Sequence, residues 1–331
     1  MKEILEIGNE RIARGHRKVI ELHLGRLYDC TELTLSIEVI RSNEPGPIMF
    51  ISGAIHGDEL TGVAIIKSII NDKRLKNLKG TLIAIPIVNV FGYNNRSRYL
   101  PDRRDLNRCF PGSPTGSLAA RIAHLFMEEV VKNCQYGIDF HAGAVYRSNL
   151  PQIRTTLANN INKDLAEAFG VAVVLDSELR DGSLREAAEM VGVKTLLFEG
   201  GEALRLNVNV IRAGVRGTFA IMEKIGMLPP SLRKPTQTYF ARSSYWVRAP
   251  QSGILGLSKV LGSKVKEGTT LSSISDAFGK KRVKVIAPSE GVIIGVLNLP
   301  LVNVGDALFH IATFKDSKVI RELSEDLLDY N

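Results

Sequence analysis

The sequence has few cysteines, and this scarcity excludes two classes of protein. Cys30, Cys109 and Cys134 are odd in number and far apart in a chain of 331 residues. Such spacing builds neither a disulfide framework nor a cysteine-rich metal cluster. Reduced thiols are typical of the cytoplasm, which is the location that we expect.

Long apolar segments are missing as well. No run approaches the roughly 20 residues that a membrane helix needs. The first residues, Met1–Glu6, carry acids and lack the uninterrupted apolar core of a secretory signal. With 44% hydrophobic and 24% charged residues, the composition is that of an ordinary globular protein, and we expect no membrane partner.

Aromatic residues make up only 6% of the chain, although its net charge is 43 − 35 = +8. A basic chain can bind nucleic acid, but here the lysines and arginines are mostly scattered. The one dense cationic stretch, Arg96 to Arg108, also contains acids. We therefore expect a local site for a small anionic substrate and no nucleic-acid surface.

Alternating strand and helix patterns predict an α/β fold for most of the chain. Residues 1 to about 45 alternate in the manner of β-strands and predict an edge hairpin. Apolar strands then alternate with amphipathic helices, ending with a helix predicted from Val208 to Met227. This order predicts a mostly parallel or mixed sheet with helices on both faces. A long irregular stretch, Val90 to Pro114, interrupts it, and such loops are often functional.

The sequence changes character near residue 230, and a length of 331 residues suggests about two domains. A proline-rich linker, Pro229 to Pro235, separates the two predicted parts. Residues 1–230 form the α/β domain with its N-terminal hairpin. Residues 236–331 form a small β domain that ends in a charged tail.

The second predicted domain contains a weak internal repeat. Ala249–Leu255 is similar to Ala287–Ile293, at an offset of 38 residues. Two related β units predict a small barrel or sandwich that resembles the biotinyl and lipoyl carrier domains. The turn between them, Asp276–Arg282, lacks the lysine setting of such carriers. A lid or an assembly element is therefore the better interpretation.

Two candidate metal ligands lie where a buried strand is predicted to pass into a helix. His56 and Glu59 follow the apolar run Pro47–Ser52 and precede an amphipathic run that begins at Leu60. In open α/β sheets, ligands bind in the crevice at the carboxyl ends of the strands. A spacing of three places the imidazole and the carboxylate on one side of a turn, where both can bind one cation.

A third candidate ligand, His141, ends a second apolar run, Tyr136–Phe140. If this run is a parallel neighbour of the first strand, His141 emerges at the same sheet edge. Nitrogen and oxygen ligands suit zinc, and a catalytic zinc usually has three protein ligands and one open position. Other divalent metals accept the same ligands. The alternative, in which His56 caps a helix and His141 is a core histidine, stays open.

Hydrolysis at an open metal site also needs a general base beside the attacking water. Glu199 is the first candidate, because it ends a predicted strand before two glycines, and Glu202 is its competitor. A guanidinium binds a carboxylate through two parallel hydrogen bonds, so Asn107 and Arg108 can hold an anionic group. Another arginine of the same stretch can stabilise an oxyanion.

Taken together, these motifs resemble a known family. The order in the chain is His56-Gly57-Asp58-Glu59, Asp105-Leu106-Asn107-Arg108, Asp139-Phe140-His141 and Glu199-Gly200-Gly201. This order is similar to that of the succinylglutamate desuccinylase/aspartoacylase family, a branch of the zinc-carboxypeptidase-like fold. The resemblance spans roughly residues 45–225, and the combined order is far more specific than any single motif.

The resemblance implies a cofactor and a role for each motif. It implies one zinc ion per chain, Glu199 as the base that activates water, and a clamp for the substrate carboxylate. The implied zinc ligands are His56, Glu59 and His141, and the implied clamp is Asn107 with Arg108.

Further positions are assigned less directly by the resemblance. Arg98-Tyr99 resembles the family's Arg-Tyr pair, which makes Arg98 the polariser of the carbonyl group. A longer interval to the clamp than in aspartoacylase leaves Arg104 as an alternative. Ala142 stands where aspartoacylase has an asparagine, so the acyl-group specificity stays open. Tyr245 is the candidate for the tyrosine that the family's C-terminal β domain contributes.

We therefore expect a zinc-dependent hydrolase that cleaves the amide bond of a small N-acylated amino acid. One alternative is a metallocarboxypeptidase that acts on peptide ends. Another is a non-catalytic metal- or ligand-binding protein. The acyl group, the amino acid and the formation of a homo-oligomer are left open by the sequence.

Overall fold

A computed structural model describes residues 4–232, 236–322 and 327 of the chain. None of the helices in these ranges is long and apolar enough to cross a membrane. The helices are α1 (Leu60–Ile70), α2 (Val90–Asn94), α3 (Leu118–Glu129), α4 (Asn160–Phe169), α5 (Leu184–Met190), α6 (Val208–Lys224) and α7 (Ser317–Glu322), with short 3-10 turns at Lys73–Asn77, Leu106–Arg108 and Val131–Asn133. The strands are β1 (Leu5–Ile7), β2 (Glu10–Ile12), β3 (Arg17–Arg26), β4 (Glu32–Arg41), β5 (Ile48–Gly53), β6 (Thr81–Ile85), β7 (Tyr136–Gly143), β8 (Arg147–Thr155), β9 (Val173–Asp176), β10 (Lys194–Glu202), β11 (Tyr239–Ala241), β12 (Ser243–Arg248), β13 (Gly253–Leu255), β14 (Lys264–Val265), β15 (Thr270–Ser275), β16 (Arg282–Ile286), β17 (Gly291–Leu297), β18 (Leu301–Val302) and β19 (Ala307–Thr313).

Most of the strands form one large mixed sheet. From edge to edge its order is β12-β19-β17-β8-β10-β7-β5-β6-β4-β3. The central strands β6, β5, β7 and β10 run parallel. Antiparallel pairing begins at β4 on one side and at β8 on the other. The mixed α/β sheet with an N-terminal hairpin at its edge, β3–β4, is therefore confirmed.

Helices cover both faces of the sheet. Successive side chains of each central strand point to opposite faces and therefore pack in two different cores. In β5, Met49 and Ile51 pack in a core with α1, α4 and α6. Phe50 between them packs in a second core with α3 and α5. All three side chains are fully buried. Burial on both faces explains why β5 appears in the sequence as a continuous apolar run.

The ends of several helices follow local capping chemistry. Ser117 and Ser183 accept hydrogen bonds from backbone N–H groups three residues ahead, which starts α3 and α5. The helix α4 ends where Gly170 adopts a left-handed conformation with φ of 75°. The predicted start of α6 at Val208 is confirmed, but the helix ends at Lys224.

The stretch from Val90 to Pro114 is more ordered than its composition predicts. It contains α2 and the 3-10 turn Leu106–Arg108. The side chains of Asn89 and Asp105 accept hydrogen bonds from backbone N–H groups that follow them, and these bonds start both elements. In such short turns apolar residues do not repeat at helical spacing. The sequence pattern therefore predicts only a loop.

The strands that carry the candidate ligands are aligned by parallel pairing. β5 pairs with β7, which places Ser52 beside Asp139. β7 pairs with β10, which places His141 beside Glu199. Since parallel strands end at the same edge of a sheet, the three strand ends meet there. The parallel neighbour that we predict for the His141 strand is confirmed.

The C-terminal region is antiparallel β structure, but within the described residues it does not close into the barrel that the repeat predicts. β16, β15, β13 and β18 form an open four-stranded sheet. β12, β17 and β19 extend the large sheet instead, because β17 pairs with β8. The division at residues 230 and 236 stays a prediction. The predicted linker and the charged tail lie partly outside the described residues.

An aromatic core under one face of the sheet generates a test of the fold. Phe126 of α3 is fully buried, and its ring meets Phe50 edge-on with 6.0 Å between centroids. We expect Phe126→Ala to lower the free energy of unfolding by about 3–5 kcal/mol, because loss of the ring leaves a cavity. Urea unfolding measures the change.

The matched control is Phe278→Ala, because Phe278 is 84% exposed. Truncation at this surface position should alter the free energy of unfolding by less than about 0.5 kcal/mol. Equal losses in the two variants would contradict the burial of Phe126.

Candidate metal centre and active-site cleft

The structure brings His56, Glu59 and His141 into one buried group. Their candidate ligand atoms all lie within 4.8 Å of one another. Glu59 Oε1 is 2.7 Å from His56 Nδ1, and Glu59 Oε2 is 2.9 Å from His141 Nδ1. Glu59 occupies the position before the first turn of α1, but its side chain makes no capping hydrogen bond there. It faces the imidazoles instead.

Two further carboxylates orient the imidazoles from behind. Asp139 Oδ2 lies 2.7 Å from His141 Nε2, and Asp105 Oδ1 lies 3.1 Å from His56 Nε2. Ser52 in turn donates to the other oxygen of Asp139 at 2.8 Å. Carboxylates in these positions hold the proton on Nε2 and direct the lone pair of Nδ1 toward the centre, as in metal sites that use histidine.

The electrostatics of the group favour a positive charge. Burial lowers the pKa of His141, but Asp139 and Glu59 outweigh it and hold this pKa well above its ordinary value. For His56, burial is likewise outweighed, mainly by Glu59 and Asp105, and its pKa is raised. Burial raises the pKa of Glu59, yet both imidazoles hold it far below its usual range. A metal ion binds to the same nitrogen lone pairs as these protons. Surroundings that stabilise a positive charge on the imidazoles therefore also stabilise a bound metal cation.

The donor set fits a zinc ion. Two imidazole nitrogens and one carboxylate are typical of catalytic zinc sites, which leave a fourth position open. Two ligands that each lie about 2.1 Å from a tetrahedral zinc ion are about 3.4 Å apart. The Nδ1 atoms of His56 and His141 are 3.3 Å apart. The group could therefore bind a metal ion without rearrangement of the imidazoles.

Glu199 lies next to this group, on the neighbouring strand β10. Asn149 donates a hydrogen bond of 2.8 Å to its Oε2, and Arg154 Nη1 lies 3.7 Å from its Oε1. The strand pairing is interrupted just after Glu199, where Gly201 has φ of 78°. Glu202, the competitor, lies beyond this bulge and accepts hydrogen bonds from Tyr146 N and Ser148 Oγ. Glu199 lines the cleft described below, and Glu202 does not.

Of the two candidate arginines, Arg98 lies beside the group of His56, Glu59 and His141, which we call the metal group. Its Nη1 lies 3.3 Å from Glu59 Oε1, and its Nη2 donates to Asp105 Oδ2 at 2.9 Å. Arg104 lies outside the cleft lining and pairs with Asp102 at 3.5 Å, with 59% of its side chain exposed. Asp102 also accepts a hydrogen bond from the Arg104 backbone N–H, and this bond stabilises the turn that holds Arg104 outside the cleft.

The predicted clamp, Asn107 and Arg108, lies on the 3-10 turn at the side of the cleft. Asn107 Oδ1 accepts a hydrogen bond of 2.9 Å from Leu184 N at the start of α5. This bond fixes the amide with its nitrogen as the remaining donor. Arg108 is anchored by a 2.5 Å hydrogen bond from Nη1 to the Asn107 carbonyl oxygen.

These groups open into a cleft of about 610 Å³ whose lining is strongly cationic. Among the residues that the structure describes, three carboxylates line it, those of Glu59, Glu199 and Asp306. Seven arginines outnumber them, which suits an anionic ligand. The arginines are Arg98, Arg108, Arg147, Arg154, Arg180, Arg185 and Arg248.

The C-terminal region supplies one wall of the cleft. Trp246 of β12 lines it, whereas its neighbour Tyr245 does not and donates to Ser289 O at 2.9 Å. The Trp246 ring stacks on His310 with 4.4 Å between centroids. Successive side chains of a strand point to opposite faces of the sheet. Trp246 therefore faces the cleft, and the candidate Tyr245 does not.

Several of these residues are not among the candidates that the sequence offers. Asp139 had a usable signal, because a spacing of two along a strand places it on the same face as His141. Asp105 stands in a motif that we singled out only for its neighbours. Asn149 and Trp246 carry no such signal, since their roles depend on which distant strands become neighbours.

Comparisons with known proteins agree with this arrangement. The family profile for the "Succinylglutamate desuccinylase/Aspartoacylase catalytic domain" matches residues 45–225, more than half of the chain. N-alpha-acetyl-L-2,4-diaminobutyric acid deacetylase of Halomonas elongata is 25% identical over 300 residues, which cover 86% of each protein.

Solved structures share the fold at low sequence identity. The product-bound ectoine utilization protein of Ruegeria pomeroyi superposes with a TM-score of 0.82 and 21% identity, covering 95% of this chain and 100% of that one. A succinylglutamate desuccinylase/aspartoacylase of Rhodobacter sphaeroides gives 0.80 and 22%, covering 90% and 95%. From its profile match, the chain belongs to the succinylglutamate desuccinylase/aspartoacylase family.

Proposed function

We propose that the chain is a zinc-dependent deacylase that hydrolyses the amide bond of a small N-acylated amino acid. One observation carries the proposal. The group of His56, Glu59 and His141 lies beside Glu199 in a cleft whose charged lining is mostly arginine. Membership of the family and the name of the Halomonas elongata relative, a deacetylase, support the same reaction class.

In this proposal, Asn107 and Arg108 bind the substrate's carboxylate. Arg108 provides the charge, and the Asn107 amide nitrogen provides a second donor, because its oxygen is taken by α5. Charge-assisted hydrogen bonds of this kind fix both position and orientation. The acyl carbonyl is thereby directed toward the metal group and Arg98.

A zinc ion bound to His56, Glu59 and His141 would polarise the acyl carbonyl and lower the pKa of water to about 7. Glu199 accepts a proton from the attacking water as the new C–O bond forms. It then returns that proton to the amide nitrogen as the C–N bond breaks, which gives a carboxylic acid and an amine. The second proton of the water leaves when the new carboxyl group ionises, and at neutral pH the released amine takes up a proton. The Asn149 hydrogen bond to Oε2 holds the carboxylate still and leaves Oε1 for the proton.

Arg98 stabilises the oxyanion that develops on the acyl oxygen. Its guanidinium is fixed between Glu59 and Asp105, so little reorganisation is needed when the charge forms. Asp105 links this arginine to His56, because its two oxygens contact the two side chains separately.

The first test is a substrate screen with the zinc-loaded protein. Amine release should be seen with N-acetyl or N-succinyl amino acids and be at least about tenfold slower with tripeptides, since a peptide lacks the small acyl group. N-acetyl-2,4-diaminobutyrate is included because a relative is named for it. Methylation of the substrate's α-carboxylate should lower kcat/KM by about 10- to 100-fold, through loss of the Arg108 contact.

The screen has two contrary outcomes. Faster cleavage of peptides would replace the deacylase with a carboxypeptidase. No turnover by a chain that carries metal would make it a binding protein.

The second test measures metal content. We expect about one zinc ion per wild-type chain after dialysis, and far less in His141→Ala, because two ligands hold zinc much more weakly than three. Elemental analysis measures the ratio. His124→Ala is the matched control, because His124 lies on α3 with its side chain 33% exposed and outside the cleft. Unaltered zinc in His141→Ala would refute the ligand assignment.

The third test addresses the base. Glu199→Gln should keep the zinc and the fold but lower kcat by about 10²- to 10⁴-fold, because an amide cannot accept the proton. Glu202→Gln serves as the control, since Glu202 lies beyond the bulge and outside the cleft. Comparable kcat values for the two variants would exclude Glu199 from the chemistry.

A further inference from the structure

The hairpin formed by β15 and β16 carries a dense group of positive charges that the proposed reaction does not use. Four cations stand within five consecutive positions, and all four are exposed. They are Lys280, Lys281, Arg282 and Lys284. Asp276 is the only acid of the sequence between positions 270 and 286. Within the described part of the chain, none of the four cations has an ion-pair partner.

An exposed aromatic ring lies at the tip of the same hairpin. Phe278 is 84% exposed and precedes Lys280 by two residues. Hydrogen bonds fix the turn around it, because Gly279 N donates to Asp276 O at 3.0 Å and Lys280 N donates to Asp276 Oδ1 at 2.9 Å. The ring therefore projects into solvent from an ordered turn, next to the cations.

Strand register extends this surface onto the outward face of the four-stranded sheet. Arg282 lies opposite Ser275, and Ser275 lies opposite Ile254 of β13. Ile254 in turn lies opposite Leu301 of β18. Residues that lie opposite one another share one face of a sheet. Ile254 is 41% exposed and Leu301 is 64% exposed, so this face presents apolar surface beside the cations.

Protection of the sheet edge explains only part of this pattern. β16 is an edge strand, and charged residues on such a strand hinder its pairing with a strand of another molecule. That accounts for Arg282 and Lys284. Lys280, Lys281 and Phe278 lie in the turn, where no strand edge needs protection. A partner that combines negative charge with an apolar phase fits all of these residues.

We propose that the hairpin is a docking surface for an anionic lipid bilayer. Phe278 inserts among the acyl chains just below the headgroups, and the four cations contact the negatively charged headgroups. A nucleic acid also attracts cations, but its phosphates give no apolar phase to cover Ile254 and Leu301. The proposal does not depend on the deacylase function. It departs from our expectation of no membrane partner, which considered only segments that span a membrane.

The first experiment measures the partition of the full chain onto vesicles by cosedimentation. Binding to vesicles that contain about one third phosphatidylglycerol should be at least about tenfold stronger than binding to pure phosphatidylcholine. It should fall when salt is raised from about 0.1 M to about 0.5 M, because salt screens the attraction between exposed charges.

Paired substitutions connect the binding to the hairpin. Lys280→Gln/Lys281→Gln should weaken partition onto the anionic vesicles by about 30-fold, since each cation close to such a surface contributes roughly fivefold. The matched control is Lys73→Gln/Lys76→Gln, which removes the same charge from two exposed lysines of the 3-10 turn Lys73–Asn77. The control should bind like wild type.

A second set of variants tests the ring. Phe278→Ala should weaken partition by about tenfold, because less apolar surface leaves water. Tyr28→Ala is its control, since Tyr28 is fully exposed at the turn between β3 and β4, next to Asp29. Phe278→Trp reports insertion directly. Lipids brominated in their acyl chains should quench its fluorescence more than that of wild type, whose single tryptophan, Trp246, lines the cleft.

Three results would overturn the proposal. One is equal partition onto the two kinds of vesicle. Another is unaltered binding in Lys280→Gln/Lys281→Gln or in Phe278→Ala. The third is binding to mixed-sequence RNA or to polyglutamate without binding to vesicles, which would assign the hairpin to a nucleic acid or to an acidic protein. None of these measurements uses hydrolysis, so they stay decisive if the deacylase assignment fails.

Discussion

Parallel hydrogen bonding among β5, β7 and β10 is the constraint on which the rest of this molecule depends. It sets His141 beside Glu199 and brings the turn that carries His56 and Glu59 to the same edge. No side-chain interaction could draw these groups together from such distant parts of the chain, because each contact contributes only a few kcal/mol. The backbone ladder performs this alignment, and the side chains then adjust within it.

Charge is arranged in two layers around that edge. Carboxylates lie innermost, where Glu59 contacts both imidazoles and Asp105 and Asp139 support them from behind. Arginines form the outer layer, and Arg98 joins the layers through Glu59 and Asp105. A cation is favoured inside and an anion outside, which is the polarity that the proposed metal-assisted attack on a carboxylate-bearing amide requires.

Much of this architecture is predictable from the sequence, but by different routes for different residues. The period of the apolar residues and the capping residues predict the central strands and most helices. The metal group is predicted because a histidine stands at or just after the end of each of two predicted strands. Which of Arg98 and Arg104 lies beside the metal group cannot be predicted from the sequence. Both belong to the stretch from Val90 to Pro114, which has no apolar period and whose path is set by local hydrogen bonds. The arginines that line the cleft are harder still to predict, since they lie on separate elements that only the tertiary fold brings together.

The pairing of β17 with β8 has a consequence for how such a protein can evolve. Gly295 of β17 lies in register with Asn149, and a Cβ atom on Gly295 would come within 3.0 Å of the Asn149 amide oxygen. Asn149 in turn holds Glu199. The C-terminal region therefore cannot be exchanged freely. An insertion, a replacement or a loss in β17 would be transmitted through the Asn149 amide to Glu199, the base that we propose. Inheritance of the two parts as a single unit follows from that contact.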